Sequence, residues 1–290
     1  MTEEEQAVKP EQEKPTEETK GPVADDVVED VEDTEEPIKV AEGRKGDPLK
    51  IVLADVTKFR ESLSAISKLI AEAELNVAPE GIELKAMDPA NVAMVLFKMK
   101  SAAFVEYDVP EADKFGLKLG DLNAILKRIG KDDIVTIEFG QKISIRSLGK
   151  SKKEFTMPII ELDEKAIEKV PELKFEAKIG VDTNSLNEAF EDMALVGESC
   201  HFNIKDKKFV ISAEGDNLRS AEVDMNEATV EAEVDVESRY SLEYLKHMIA
   251  KKMSSRVTVS FSKNYPLRMD YNDETVELSV ILAPRVENSD

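Results

Sequence analysis

Thiols are nearly missing from these 290 residues, where Cys200 stands alone. One cysteine excludes an intramolecular disulfide framework and a four-thiolate zinc site, and it suits a reducing compartment. Histidine is scarce as well, with only His201 and His247. Cys200 and His201 are neighbours, and on a strand neighbouring side chains point to opposite faces, so they do not form a nucleophile and base couple. Cys200 reads as a buried residue. The longest uncharged apolar run, Val92 to Phe97, is far shorter than the ~18 residues a spanning helix needs, and no signal-peptide-like apolar core follows Met1. These shortages imply a soluble intracellular protein with no membrane partner. Positive charge is also in short supply: 39 Lys and Arg face 61 Asp and Glu, for a formal net charge of −22. Such a chain is no generic basic clamp for nucleic acid, and any DNA contact has to be locally concentrated.

Half of the net negative charge sits in residues 1–47, which hold 17 Asp and Glu, six Lys and Arg and no aromatic residue. That composition buries too little apolar surface to offset chain entropy, so the segment is expected to be a disordered acidic tail. Its plain role is solubilising, and its alternative role is regulatory.

Catalytic motifs are not evident. Gly149-Lys150-Ser151 resembles the end of a phosphate-binding loop, but that pattern needs glycine where Ser144 stands. The densest carboxylate clusters fall in the tail, where nothing rigid holds a metal or separates an acid from a base in pKa. The expectation is a non-enzymatic protein without cofactor or metal.

From Pro48 onward the pattern is globular, and it occurs twice. Leu49, Ile51 and Leu53 alternate as a strand, then Asp55 or Thr57 caps a helix carrying Phe59, Leu63, Ile66, Leu69 and Ile70. A hairpin follows around Pro79-Glu80-Gly81, then a second helix from Leu119 to Ile129 and strands over Ile134–Phe139, Lys142–Arg146 and Glu154–Ile160. A shift of 127 residues places Leu75 and Val77 on Phe202 and Ile204, and a shift of 123 places Leu122 on Leu245 and Phe155–Ile160 on Leu278–Ala283. The expected class is α+β, with antiparallel sheets and two helices per copy on one face. The expected domains are 48–160 and 174–290, joined by an exposed connector over 161–173.

Met87-Asp-Pro-Ala-Asn-Val-Ala-Met94 and Ile281-Leu-Ala-Pro-Arg-Val286 resemble signature segments of archaeal sliding clamps of the proliferating-cell-nuclear-antigen type. Val170-Pro-Glu-Leu173 is similar to the end of that family's interdomain connector, and Asn264-Tyr-Pro-Leu267 adds a fourth match in the right order. The resemblance implies a DNA clamp fold: a ring of three two-domain subunits, helices lining the hole and sheets outside. It implies a polymerase processivity factor that encircles double-stranded DNA irrespective of sequence. A clamp loader, DNA polymerase and other clients with a short clamp-binding peptide are the expected partners, in the nucleoid-associated cytoplasm of an archaeon. Two alternatives stay open: a specialised paralogue acting only in a mixed ring, and an enzyme with an unrecognised site.

The expected DNA-facing residues are Lys58, Arg60, Lys68, Lys118, Lys127, Arg128 and Lys131 in the first copy and Lys246, Lys251 and Lys252 in the second. The helix from Asn184 to about Val196 departs from the family by carrying Glu188, Glu191 and Asp192 without Lys or Arg. It is either a weak DNA contact or a sign of a mixed ring. The expected client groove comprises Met87, Met94, Ile167, Val170, Pro171, Pro266, Ala283, Pro284 and Val286, with methionines suited to varied peptides. Subunits are expected to join through edge strands at 152–160 and 218–226, using Lys152, Lys153, Phe155, Met157, Leu218, Ala221 and Val223, with the lysines near Glu222 and Asp224.

Overall fold

The computed structural model describes residues 39–162, 167 and 169–285. In the first half, strand β1 (Leu49–Leu53) leads into helix α1 (Thr57–Ile66), and β2 (Glu72–Ala78), β3 (Gly81–Met87) and β4 (Ala93–Lys100) form a meander. Strands β5 (Glu106–Asp108) and β6 (Asp113–Lys118) precede α2 (Leu119–Lys127), and β7 (Ile134–Phe139), β8 (Ile143–Leu148) and β9 (Lys152–Met157) complete the unit. The second half repeats that order with β10 (Ala177–Asp182), α3 (Thr183–Ala194), β11 (Ser199–Lys205), β12 (Lys208–Glu214) and β13 (Ser220–Asp224). It ends with β14 (Thr229–Ala232), β15 (Val236–Ser241), α4 (Leu242–Met248), β16 (Arg256–Phe261), β17 (Leu267–Asn272) and β18 (Val276–Leu282).

Alternation drives the strands: β8 and β17 bury every second residue in the same pattern, starting from Ile143 and Leu267. The β2–β3 hairpin turns at Gly81, whose φ of 145° and whose approach to the Met99 carbonyl leave no room for a side chain. Asp182 caps α3 by accepting the Ser185 N–H at 2.8 Å. At α1 the N-cap position is Val56, and Asp55 accepts the Thr57 N–H just before it.

Each half folds two sheets. The first gives the orders β5-β1-β7-β8-β9 and β4-β3-β2-β6, and the second gives β14-β10-β16-β17-β18 and β13-β12-β11-β15. These are the same topology twice. Strand β18 pairs antiparallel with β4, fusing one sheet from each half into nine strands. Their equivalents, β9 and β13, are end strands of the other two sheets. The helices form a row in which α1 packs on α2, α3 on α4, and α1 on α4 across the halves.

Three details differ from the sequence reading. Lys39–Asp47 fall in the segment expected to be disordered, yet they lie along the body. Val40 bridges Ile160, Ala41 N–H donates to the Ile159 carbonyl at 2.9 Å, and Glu161 N–H donates to the Lys39 carbonyl at 2.9 Å. Arg44, its side chain only 12% exposed, holds Glu111 at 2.6 Å and Asp113 at 3.1 Å. Arg44 N–H also donates to the Gly140 carbonyl at 3.1 Å and Gln141 donates to the Arg44 carbonyl at 2.8 Å, so contacts distant in sequence hold a segment whose composition points the other way. The rest of that expectation, residues 1–38, lies outside the described residues, as do 163–166 and 168 of the connector. Second, β9 stops at Met157 because Pro158 offers no N–H to a ladder. Third, the ladders set Phe155 in the place of Val280, two residues from the Leu278 match. The β17–β18 turn, closed by Asn272 and Glu277, is one residue longer than the β8–β9 turn, closed by Leu148 and Lys152.

Replacing Arg44 by Ala is expected to lower the denaturant midpoint of unfolding, since two ion pairs and an Asp47 carbonyl contact are lost together. Denaturant unfolding at low salt measures this; an unchanged midpoint would mean the strap contributes nothing to the fold.

Candidate nucleic-acid interface, groove and strand edges

The row of helices gathers the basic residues. Lys68, Lys246, Lys251 and Lys252 border one cavity of about 300 Å³ between α1 and α4, with Glu61 and Asn187 beside them. Burial lowers the pKa of Lys68, and the charges of Lys127 and Lys251 lower it further, against the pull of Glu61. Lys127, Arg128 and Lys131 are exposed at and beyond the end of α2, while Lys118 is half-buried at its N-cap.

Two of the ten candidates are occupied by the fold. Arg60 donates to the Ile129 carbonyl at 3.1 Å and is 18% exposed, so it braces α1 against the end of α2. Lys58 lies 2.5 Å from Asp273. Burial works against the Asp273 carboxylate, but Lys58 and the donors of Thr275 and Val276 outweigh it and hold its pKa at about 2. On the acidic helix α3, Glu191 comes within 3.8 Å of Lys251, and Asn187 reaches the same cavity as the lysines. Asn187 carries no charge, so its place among the lysines leaves no trace in the charge pattern of the sequence.

The lone thiol is unreactive. Cys200 is wholly buried, which pushes its thiol pKa far up, and His201 lies 3.1 Å from Glu237 on the opposite face of β11.

The apolar candidates meet where β3, β4 and β18 end together. Met87 stands opposite Met94, Ile281 opposite Met94, and Ala283 N–H donates to the Val92 carbonyl at 2.9 Å. Leu267 pairs with Leu282, which brings Pro266 beside Ala283 and Pro284. Val170 sits further along the sheet over a cavity of about 240 Å³ shared with Lys85 and Leu96. Ile167 is half-buried and Pro171 exposed, and Val286 lies outside the described residues.

On the end strands, Phe155, Ala221 and Val223 are half-buried against the core and Met157 is buried. Lys152 is exposed, and Lys153 donates to the Arg128 carbonyl at 2.5 Å. Leu218 precedes β13 in a turn with φ of 60° and is fully exposed.

The model of the proliferating cell nuclear antigen (PCNA) N-terminal domain matches residues 49–163, and that of the PCNA C-terminal domain matches 169–286. The chain belongs to the PCNA family. The DNA polymerase sliding clamp of Pyrococcus furiosus is 31% identical over 249 residues, covering 83% of this chain and 99% of that protein. The clamp of Thermococcus gammatolerans is 32% identical over 250 residues, with coverage of 83% and 99%. Among solved structures, PCNA from Thermococcus kodakaraensis superposes with a TM-score of 0.75 at 24% identity, covering 82% of this chain and all of that one. PCNA from Entamoeba histolytica gives 0.77 at 18% identity, with coverage of 83% and 100%. The strap from Lys39 to Asp47 precedes the part matched to the PCNA domains.

Between the paired methionines of this PCNA chain lies Asp88, only 4% exposed. It accepts N–H groups from Ala93 at 2.6 Å, Val92 at 2.7 Å and Ala90 at 3.2 Å, and the Tyr244 hydroxyl of α4 at 2.7 Å. Burial raises the Asp88 pKa, but the four donors outweigh it and the net shift is downward. The same bond pushes the Tyr244 phenol up to about 12. One carboxylate thus ties the first half's loop to the second half's helix. Because the folded pKa lies below the ordinary 3.8, its stabilisation is present above that value and is lost as pH falls through the folded pKa. Tyr244→Phe should cost about 1.5–3 kcal/mol at neutral pH, the worth of a hydrogen bond to a charged group. Urea unfolding at pH 7 and near pH 3 checks this, and the gap between variant and parent should shrink at the lower pH.

Proposed function

We propose that this chain, a DNA sliding clamp, closes with two further copies into a ring around duplex DNA. The bases of α1, α2 and α4 face the hole, and the groove of Met87, Met94, Pro266, Ala283 and Pro284 takes client peptides. The observation that carries the reading is that the internal joint between β18 and β4 leaves its two equivalents, β9 and β13, at the ends of their sheets. A second copy satisfies β9 with its β13, and the chain of joints closes. The groove residues come from both halves, with Val170 of the connector nearby, and methionines adapt to several peptides. DNA polymerase and other proteins with a short clamp-binding peptide are the clients, a clamp loader opens the ring, and the setting is the nucleoid-associated cytoplasm of an archaeon.

Phosphate contacts from lysines are blind to sequence and weaken with salt, which suits movement along the duplex. Retention then comes from topology. A mixed ring is favoured by one observation, the acidic face of α3 with Glu188, Glu191 and Asp192.

Light scattering of the purified chain should give about 97 kDa, three times the 32.3 kDa chain; a mass of one chain that rises only when a related chain is added would establish the mixed ring instead. The ring should stay on closed circular DNA and leave linear DNA. Reversing Lys127, Arg128, Lys251 and Lys252 to Glu is expected to abolish most stimulation of polymerase while sparing self-association, and undiminished stimulation would place the DNA elsewhere.

A further inference from the structure

The internal joint also states how the copies should be aligned. On its core side, Val280 faces Val95 and Leu278 faces Phe97; on its other side, Glu277 faces Lys98. Strands β8 and β17 share one burial pattern, so their ladders align the strands that follow. Ile145 pairs with Phe155 as Met269 pairs with Val280, which puts Phe155 in the place of Val280 and Lys152 in that of Glu277. The other edge aligns the same way. Leu84 pairs with Phe97 as Ile211 pairs with Val223, so Ala221 takes the place of Val95 and Asp224 that of Lys98.

We propose that β9 of one copy pairs with β13 of the next in the register of the internal joint, with the charge order reversed, and that Lys152 and Asp224 determine which edges join. This rests on the ring reading above. In that register Phe155 faces Ala221 on the core side, large against small where the internal joint has two valines, and Lys152 faces Asp224 on the exposed side. Both charged residues are exposed on their strands, with side chains on the same side as Glu154 and Glu222.

The reversal has a consequence for wrong pairings. Strand β9 laid on β4 would set Lys152 against Lys98, and β18 laid on β13 would set Glu277 against Asp224. Directly opposed like charges destabilise a strand pair and unlike charges stabilise it. Each correct pairing is therefore favoured over the exchange of one joint for the other, which is the error a duplicated chain invites. The register also sets Glu154 against Glu222, a repulsion built into the correct joint.

Equilibrium sedimentation of the full chain at low salt, across a dilution series, tests the assignment. Lys152→Glu and Asp224→Lys should each weaken self-association about fivefold to tenfold per joint, and the double exchange should restore it. Glu154→Lys should tighten it. A register displaced by two residues would put Asp224 opposite Glu154, and Asp224→Lys would then tighten the ring, overturning the proposal. Rings that assemble alike in all four variants would overturn it too while leaving the ring itself standing. A parent chain and variants monomeric at every concentration would remove the ring reading, and the register with it. Circular dichroism of each variant separates loss of assembly from loss of fold.

Discussion

A row of unpaired backbone groups at the end of an antiparallel sheet is the constraint on which this molecule is built. Besides the strands at its sheet crossovers, each half taken alone would expose two such rows: β4 and β9 in the first, β13 and β18 in the second. The other sheet ends, β5, β6, β14 and β15, lie at the crossovers where the chain passes from one sheet to the other. Joining β18 to β4 then removes half of the open rows. What is left is one row of each kind, so any further joining of the same type runs head to tail between copies. A heterologous contact of that kind gives a closed ring or an endless fibre, depending on the angle at each joint. Apolar packing at the remaining rows is partial, with Phe155, Ala221 and Val223 half-buried, and it is there that burial of further area has most to contribute.

Charge is arranged around the same skeleton. The protein is strongly acidic, yet Lys68, Lys246, Lys251 and Lys252 converge on one cavity in the helix row. Their attraction for an anion is tempered by carboxylates of the same row: Glu191 lies 3.8 Å from Lys251, and Glu61 lies 3.8 Å from Lys252. At such exposed sites these pairs have small energies, and they lower the local field more than they fix any side chain. A surface that gripped phosphates tightly would resist translation along DNA. In the proposed ring, a tempered one would separate staying on the duplex from sticking to it.

Much of this was legible in the sequence because alternation and helical periodicity report burial directly. Ile134–Phe139 is legible to the residue as β7, since Val135, Ile137 and Phe139 alternate on its buried face. The duplication was legible from element order. The register of the copies was not, because turn lengths differ by a residue or two and no identity marks the change; only the ladders place Phe155 at Val280. Lys39–Asp47 escaped notice because its anchor, Arg44, finds Glu111 and Asp113 more than sixty positions later. Lys58 and Arg60 looked like solvent-facing bases for the same reason. Their partners, Asp273 and the Ile129 carbonyl, are brought near only by tertiary packing. Asn187 was missed because a neutral amide carries no charge to count.

The joint between the halves has a second consequence besides the sheet edges. Met87 and Met94 belong to the first half, and Pro266, Ala283 and Pro284 to the second. They adjoin because β18 lies on β4 and because Asp88 is held by Tyr244 of α4. Neither half alone contains the groove. A change that loosens the joint, even far from the apolar residues, therefore disperses the proposed groove as well as weakening the fold. The same dependence runs outward from α4, which carries Lys246 on the helix row and Tyr244 against the groove loop. Two surfaces with different tasks are fixed to one helix through a buried carboxylate with four donors. Their relative placement is set by the hydrogen bonds to Asp88.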